Sequence, residues 1–178
     1  MIKQFLLLSL AILLLAVQAP ATAQEELIEQ LGPFKPFLGK TWKGEFKHST
    51  KEKPMFDVSR WERALNGNAV RILHSVNDGE YGGETIMFWD KAKQSLVFYY
   101  FTTAGFYTTG TLTIEGSKFT SHEYVTGDSN GITEVKGTGE VTPEGKMVSK
   151  SQYLQNGKWV EGHEIIYVED ATAQVVFK

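Results

Sequence analysis

The sequence predicts an all-β fold, a closed antiparallel up-and-down barrel of about ten strands. Short apolar or alternating segments recur roughly every ten residues, a spacing typical of barrels and sandwiches. The turns between them are short, which favours pairing of neighbouring strands in chain order. An open sheet of ten strands tends to curl or split, whereas closure leaves no unpaired edge. The pattern therefore favours a closed barrel over a sandwich.

The first residues have the three parts of a cleavable secretory signal peptide. Lys3 supplies the positive charge, Phe5–Val17 is an apolar stretch, and Ala21-Thr22-Ala23 is a small-residue cleavage site. A membrane anchor is the alternative, but about 13 apolar residues fall short of the roughly 20 that span a bilayer. We therefore expect cleavage of residues 1–23 near Ala23-Gln24, no membrane span in the remaining chain, and a periplasmic or secreted protein.

Composition excludes several classes of protein. The absence of cysteine rules out disulfides, thiolate nucleophiles, cysteine-based metal sites and a lipid-anchored bacterial lipoprotein. The net charge is −3 and the charges are interspersed, so no basic stripe marks a nucleic-acid partner. Residues 24–178, about 155 in number, are enough for one domain with a sizeable core.

One helix and ten strands follow in order along this domain. Leu27, Ile28 and Leu31 form one apolar face within 25–38, the one candidate helical segment, where Pro33 and Pro36 are expected to end a short helix that an extended link follows. Asn-Gly pairs mark the sharpest hairpin turns, since both residues accept a positive φ. The predicted strands are 41–48, 55–65, 69–76, 82–89, 95–102, 106–114, 118–126, 132–142, 146–155 and 158–169, with a further candidate edge strand in 171–178.

Both ends of the domain resemble a known family. The string Leu38-Gly39-Lys40-Thr41-Trp42-Lys43-Gly44-Glu45-Phe46 resembles the opening of lipocalin-like (calycin) barrels, with one residue more than the usual Gly-x-Trp spacing. The string Lys158-Trp159-Val160-Glu161-Gly162-His163-Glu164-Ile165-Ile166-Tyr167 is similar to their last strand. The nearer likeness is to bacterial lipocalin-like barrels of unknown function, and the more distant one is to nitrobindin-type barrels. The resemblance implies structural roles for Gly39, Trp42 and Gly44, with Trp42, Gly44 and Phe46 facing inward.

The histidines do not form a recognisable catalytic or metal-binding motif. His163-Glu164-Ile165-Ile166-Tyr167 begins like the zinc-protease signature but has Tyr where the second His belongs. His122 and Glu123 are neighbours on a strand, so their side chains face opposite sides of the sheet. No C-terminal histidine matches the haem ligand of nitrobindin-type barrels. The sequence therefore predicts no metal site and no cofactor.

Aromatic residues exceed what one tight core of this size needs, and barrel mouths are a favoured place for aromatic-lined ligand sites. The Val97–Phe101 run indicates a strand covered on both faces. Arg60 or Arg71 could face inward and pair with an anionic group, although surface salt bridges with Glu62 or another acid are the favoured interpretation. The ligand-binding candidates are Phe46, Arg60, Arg71, Phe88, Phe98, Tyr100 and His122.

These observations predict an exported binding protein that takes up a small hydrophobic or amphipathic molecule. Two alternatives stay open. One is a barrel enzyme acting on a hydrophobic substrate, with His122, Glu134 and His163 as candidate titrating groups. The other is a non-catalytic envelope interaction module that works through its surface. An outer-membrane barrel is disfavoured, because residues 55–65 carry charge on both faces of the strand.

Overall fold

The structure is a computed structural model that describes residues 26–127 and 129–178. The predicted signal peptide, residues 1–23, lies outside the described residues. Among the described residues, no helix is long and apolar enough to cross a membrane.

The ten strands close into one antiparallel barrel in which each strand pairs with its neighbours in the chain and β1 pairs with β10. This confirms the predicted fold class. The strands are β1 (Thr41–Phe46), β2 (Phe56–Ala64), β3 (Ala69–Val76), β4 (Tyr81–Asp90), β5 (Ser95–Thr102), β6 (Tyr107–Glu115), β7 (Lys118–Thr126), β8 (Ile132–Val141), β9 (Met147–Gln155) and β10 (Lys158–Glu169). Single 3₁₀ turns, Leu65–Gly67 and Asn77–Gly79, connect β2 to β3 and β3 to β4.

The strand register sorts side chains into an inner and an outer set. Because successive residues of a strand point to opposite faces, each register pair belongs to one face. The pairs Trp61↔Ile72 and Met87↔Phe98 are inward, for example, and Arg71↔Ile86 is outward. Two irregularities, in β8 between residues 132 and 134 and in β10 between 161 and 164, shift this alternation locally.

A 3₁₀ helix, Glu29–Phe37, covers one end of the barrel. Its buried residues Leu31, Phe34 and Phe37 are three apart, which places them on one face of a helix with three residues per turn. The sequence-based expectation that Pro33 and Pro36 end the helix is wrong, because this helix runs through both prolines. Proline has no backbone N–H to donate, so the two prolines weaken the hydrogen bonding within the helix. Burial of the apolar face against the barrel stabilises the helix instead.

The helix packs on two tryptophans that form the barrel floor. Phe37 stacks on Trp61 with ring centroids 4.8 Å apart and contacts Trp42 at 5.8 Å, while Phe34 stacks on Trp61 at 6.0 Å. Backbone hydrogen bonds fix the chain around this cluster, including one from Gly39 N to the Trp61 carbonyl oxygen at 2.9 Å. The floor is therefore the main apolar core of the molecule.

Residues 171–178 contain no strand. Both neighbours of every barrel strand are already in place, so the closed sheet offers no edge for an eleventh. The tail instead packs on the outside, where the Val176 N–H donates to Ser75 Oγ at 3.0 Å and Ser75 is buried.

The interpretation of β5 as covered on both faces holds for the outward Val97, which is buried, and is wrong for the outward Tyr99 and Phe101. Tyr99 and Phe101 are 42% and 51% exposed. Their rings are covered mainly by neighbouring aromatic rings, since Phe88 stacks on Tyr99 and Tyr107 contacts Phe101. The outward aromatic residues of this run therefore form a row on the outer surface. They do not indicate that another layer of the protein covers the strand.

Replacing Phe37 tests whether the helix stabilises the barrel through its buried rings. We expect Phe37→Ala to lower the free energy of unfolding by about 3–5 kcal/mol, because it leaves a cavity against Trp42 and Trp61. Urea unfolding followed by tryptophan fluorescence measures the change. The exposed Lys35→Ala in the same helix is the matched control and should change stability by less than about 0.5 kcal/mol. Equal effects of the two variants would contradict this packing.

Candidate functional site

A cavity of about 210 Å³ lies inside the barrel above the floor. It agrees with the expectation that a ten-stranded barrel is wider than its side chains fill. Its apolar lining includes Phe34, Trp61, Ile72, Met87, Phe98, Leu112, Phe119 and Met147. Its polar lining includes Ser59, Thr85, Ser121, Glu123, Ser149, Ser151, His163 and Tyr167.

Small residues on two neighbouring strands line one side of this cavity: Gly137 of β8, and Ser149 and Ser151 of β9. Gly137 is paired with Ser151, and Ser149 is paired with Gly139, whose open side is filled by the ring of Phe119. The small residues at 137, 149 and 151 are the sequence signal of this side of the cavity.

A buried hydrogen-bond network stands at the end of the barrel opposite the floor. Asp57 is 2% exposed, and its Oδ2 accepts a hydrogen bond from the Tyr167 hydroxyl at 2.8 Å. Its Oδ1 lies 2.7 Å from His74 Nδ1, and because a carboxylate can only accept, the imidazole donates. Burial raises the pKa of Tyr167, and the nearby Asp57 raises it further. Tyr167 is therefore a neutral hydroxyl donor.

The network continues from His74 through two tyrosine hydroxyls. His74 Nε2 lies 2.8 Å from the Tyr100 hydroxyl, which lies 2.7 Å from that of Tyr81. Burial is the main cause that raises the pKa of both tyrosines. These polar contacts join four strands in one chain. It runs from Asp57 on β2 through His74 on β3 and Tyr100 on β5 to Tyr81 on β4.

His163 forms a second polar group inside the barrel, on β10. Its Nδ1 lies 2.8 Å from the Tyr153 hydroxyl and 3.0 Å from Ser151 Oγ, and its backbone N–H donates to Ser151 Oγ at 2.9 Å. Burial lowers the pKa of the His163 imidazole. The ring is therefore held in its neutral form, with Nδ1 oriented by two hydroxyls.

Glu123 brings a carboxyl group to the cavity from β7. Its Oε2 accepts a hydrogen bond from Thr108 Oγ1 at 2.7 Å. Burial raises the pKa of Glu123, with the hydrogen bond from Thr108 acting in the opposite direction. The sequence reasoning did not select Glu123, although the alternation that turns His122 outward is what turns Glu123 inward.

Three of the sequence-based ligand candidates lie inside the barrel. Phe98 lines the cavity, Tyr100 belongs to the Asp57 network, and the Phe46 ring lies 6.1 Å from that of His163. Their contact with a ligand remains a prediction.

The other four candidates lie on the outer face, so the interior site does not include them. Arg60 donates to Glu62 at 2.8 Å, and Arg71 binds Glu84 through two parallel hydrogen bonds of 2.8 and 3.0 Å. The favoured interpretation of the arginines as surface salt bridges is thus confirmed. Phe88 stacks on Tyr99 with the rings 2° from parallel. His122 Nε2 lies 2.7 Å from Glu134 Oε2.

Of the candidate titrating groups for an enzyme, only His163 faces the interior, since His122 and Glu134 pair with each other outside. Within residues 26–127 and 129–178, no group of three or more His, Asp and Glu side chains could hold a metal ion.

The residues given structural roles surround the floor and the first strand. Trp42 is 3% exposed, and Gly39 has φ of +71°, a conformation that side-chain-bearing residues rarely adopt. A side chain at Gly44 would collide with Ile165 and Tyr167. Gly44 thus allows Tyr167 to lie across β1 and reach Asp57.

No protein-family model and no curated protein matches the chain. Among solved structures, the fold is similar to that of Rv2717c from M. tuberculosis, with a TM-score of 0.60 and 10% sequence identity. The match covers 81% of this chain and 99% of that chain. At this identity the likeness establishes a shared barrel fold and nothing about function.

Removing the Tyr167 hydroxyl tests the Asp57 network. We expect Tyr167→Phe to lower the free energy of unfolding by about 1–3 kcal/mol, because one buried Asp57 oxygen loses its donor. Chemical denaturation gives the value. Tyr124→Phe removes an exposed hydroxyl and should be neutral within about 0.5 kcal/mol. A Tyr167→Phe variant as stable as this control would refute the proposed hydrogen bond.

The burial of His163 predicts a pH dependence of stability. Because its pKa is lower in the folded state, the unfolded state takes up the proton first as pH falls through about 6.5. Stability contributed by the neutral ring is therefore complete above that pH and decreases below it. Unfolding free energies between pH 7.5 and 5 should fall less steeply in His163→Gln than in the unmodified protein. Identical slopes would contradict the assignment.

Proposed function

We propose that the chain is an exported lipocalin-like binding protein that holds a small hydrophobic or amphipathic molecule inside its barrel. The observation that carries this proposal is the interior cavity, whose lining combines aromatic and aliphatic side chains with polar groups. Ligand sites combine mostly apolar walls with a few placed polar groups in this way. Export is inferred from the leader sequence alone.

The size of the cavity limits the ligand to a compact molecule. An apolar cavity of about 150 Å³ holds benzene, whereas drug-sized ligands occupy roughly 300–1,000 Å³. A volume of about 210 Å³ suits a single ring, or a short branched chain, that bears one polar substituent.

The aromatic row on the outer face favours a second function, as an interaction module that works through its surface. Phe88, Tyr99, Phe101 and Tyr107 contact one another in sequence across β4, β5 and β6, and three of them are more than a third exposed. Exposed apolar patches of this kind often mark contact sites. Ligand uptake by the interior distinguishes the two functions.

A cavity-filling variant tests the proposed site. Ser149 faces the cavity, so we expect Ser149→Phe to occupy much of its volume and abolish binding of a compact neutral probe, benzyl alcohol. In the unmodified protein the probe should raise the melting temperature in a saturable manner, since it binds the folded state. Isothermal titration measures the affinity directly.

The matched control for this test is Val148→Phe, because Val148 is the preceding residue and its side chain points outward. Retained binding in Val148→Phe and lost binding in a folded Ser149→Phe support the interior site. Binding that persists in Ser149→Phe, or no binding by the unmodified protein, contradicts it.

A further inference from the structure

Building on the proposed binding function, we propose that the cavity selects ligands whose polar end is a cation. Such a ligand is a compact amphipathic amine whose ammonium group pairs with the Glu123 carboxylate. This names a chemical class for the ligand and a residue that recognises it.

The Glu123 carboxyl is only partly satisfied by the protein. It faces inward from β7 and accepts one hydrogen bond, from Thr108 Oγ1 to Oε2 at 2.7 Å. Its second oxygen has no hydrogen-bond partner among the described residues. Asp57, the other inward carboxylate, differs because both of its oxygens are hydrogen-bonded, to His74 and Tyr167.

The described part of the cavity wall supplies no cation to balance Glu123. Lys150 is the one lysine or arginine in the lining, and its side chain is 55% exposed with Nζ 3.4 Å from Glu164 on the outer face. The inward His163 is kept neutral by burial, which lowers its pKa. His122, the nearest residue in the chain, pairs with Glu134 outside.

Burial raises the pKa of Glu123 because it disfavours the charged form, and this effect outweighs the Thr108 hydrogen bond and the neighbouring His122, which both lower the pKa. A bound ammonium group would supply the missing charge in a position shielded from water. Its three donors suit one carboxylate together with the lining hydroxyls, of which Ser121 lies on the same face of β7. The rings of Trp61 and Phe98 then hold the apolar part of the ligand.

The same arrangement disfavours an anion. Fatty acids and other carboxylates would bring a second negative charge near Glu123 and Asp57, and no lining arginine or lysine points inward to offset it. Charge complementarity therefore separates amines from acids of the same size and shape.

Three probes with one carbon skeleton test the selection: benzylamine, benzyl alcohol and benzoate. Isothermal titration of each into the whole protein at neutral pH should give the tightest binding for benzylamine. Benzyl alcohol should bind roughly tenfold or more weakly, as expected for loss of one charge-assisted hydrogen bond, and benzoate more weakly still. Binding of the alcohol as tight as that of the amine overturns the inference and leaves the proposed function standing. Failure of all three probes overturns both.

Glu123→Gln keeps the shape of the side chain and an acceptor for Thr108 while removing the charge. We expect it to weaken benzylamine binding roughly tenfold or more and to leave benzyl alcohol binding within about twofold. Glu134→Gln removes an equal charge from the outer face and should change neither. Benzylamine binding that is unaltered in Glu123→Gln, or reduced equally in both variants, overturns the assignment. Circular dichroism establishes that each variant is folded.

Discussion

The closure of ten strands into one sheet sets the width of the barrel interior. That width determines how much of the interior the rest of the chain has to fill. Closure pairs both edges of every strand, which leaves no free edge for the C-terminal residues to join. It also encloses more space than ordinary core side chains fill. The protein fills the lower part of this space with a 3₁₀ helix and a floor of aromatic rings built on Trp42 and Trp61. The upper part stays open as the cavity.

The remaining interior is divided by chemistry rather than filled uniformly. Glycine and serine residues line the cavity on β8 and β9, while Asp57, Tyr167 and His74 join β2, β10 and β3 through buried hydrogen bonds. A polar network in which every group is hydrogen-bonded is rigid, because breaking any bond leaves a buried donor or acceptor without a partner. Glu123 stands apart as a carboxyl with one protein partner, and this contrast is the basis for inferring a cationic ligand.

Much of the fold could be predicted from the sequence, because alternation and turn residues are local signals. The ten strands lie where the Asn-Gly turns and apolar runs place them. The inward face of each strand could not be predicted in this way. An alternating sequence does not show which of its two sets of side chains faces inward until the pairing with neighbouring strands is known. Phe88 is aromatic and His122 carries an imidazole, yet the register of β4 and β7 turns both side chains outward.

The type and extent of the helix and the position of the cavity could not be predicted from the sequence, for related reasons. Two prolines predict the end of an α-helix, but Leu31, Phe34 and Phe37 repeat every three residues and fit a 3₁₀ helix instead. Large aromatic and charged residues mark a candidate site in a sequence, whereas small residues line one side of this cavity. Glu123 stands out only in the assembled barrel, where one of its carboxyl oxygens has no hydrogen-bond partner among the described residues.

Methionine methyl NMR tests the central claim, that the barrel interior is where a ligand binds. The chain has four methionines, of which Met87 and Met147 line the cavity and Met55 lies outside it, beside His48. With ¹³C-methyl labelling, titration of benzyl alcohol should shift the Met87 and Met147 signals together to saturation and leave the Met55 signal in place. Saturable binding that leaves both cavity methyl groups unperturbed would contradict the account and move the binding site to the outer surface.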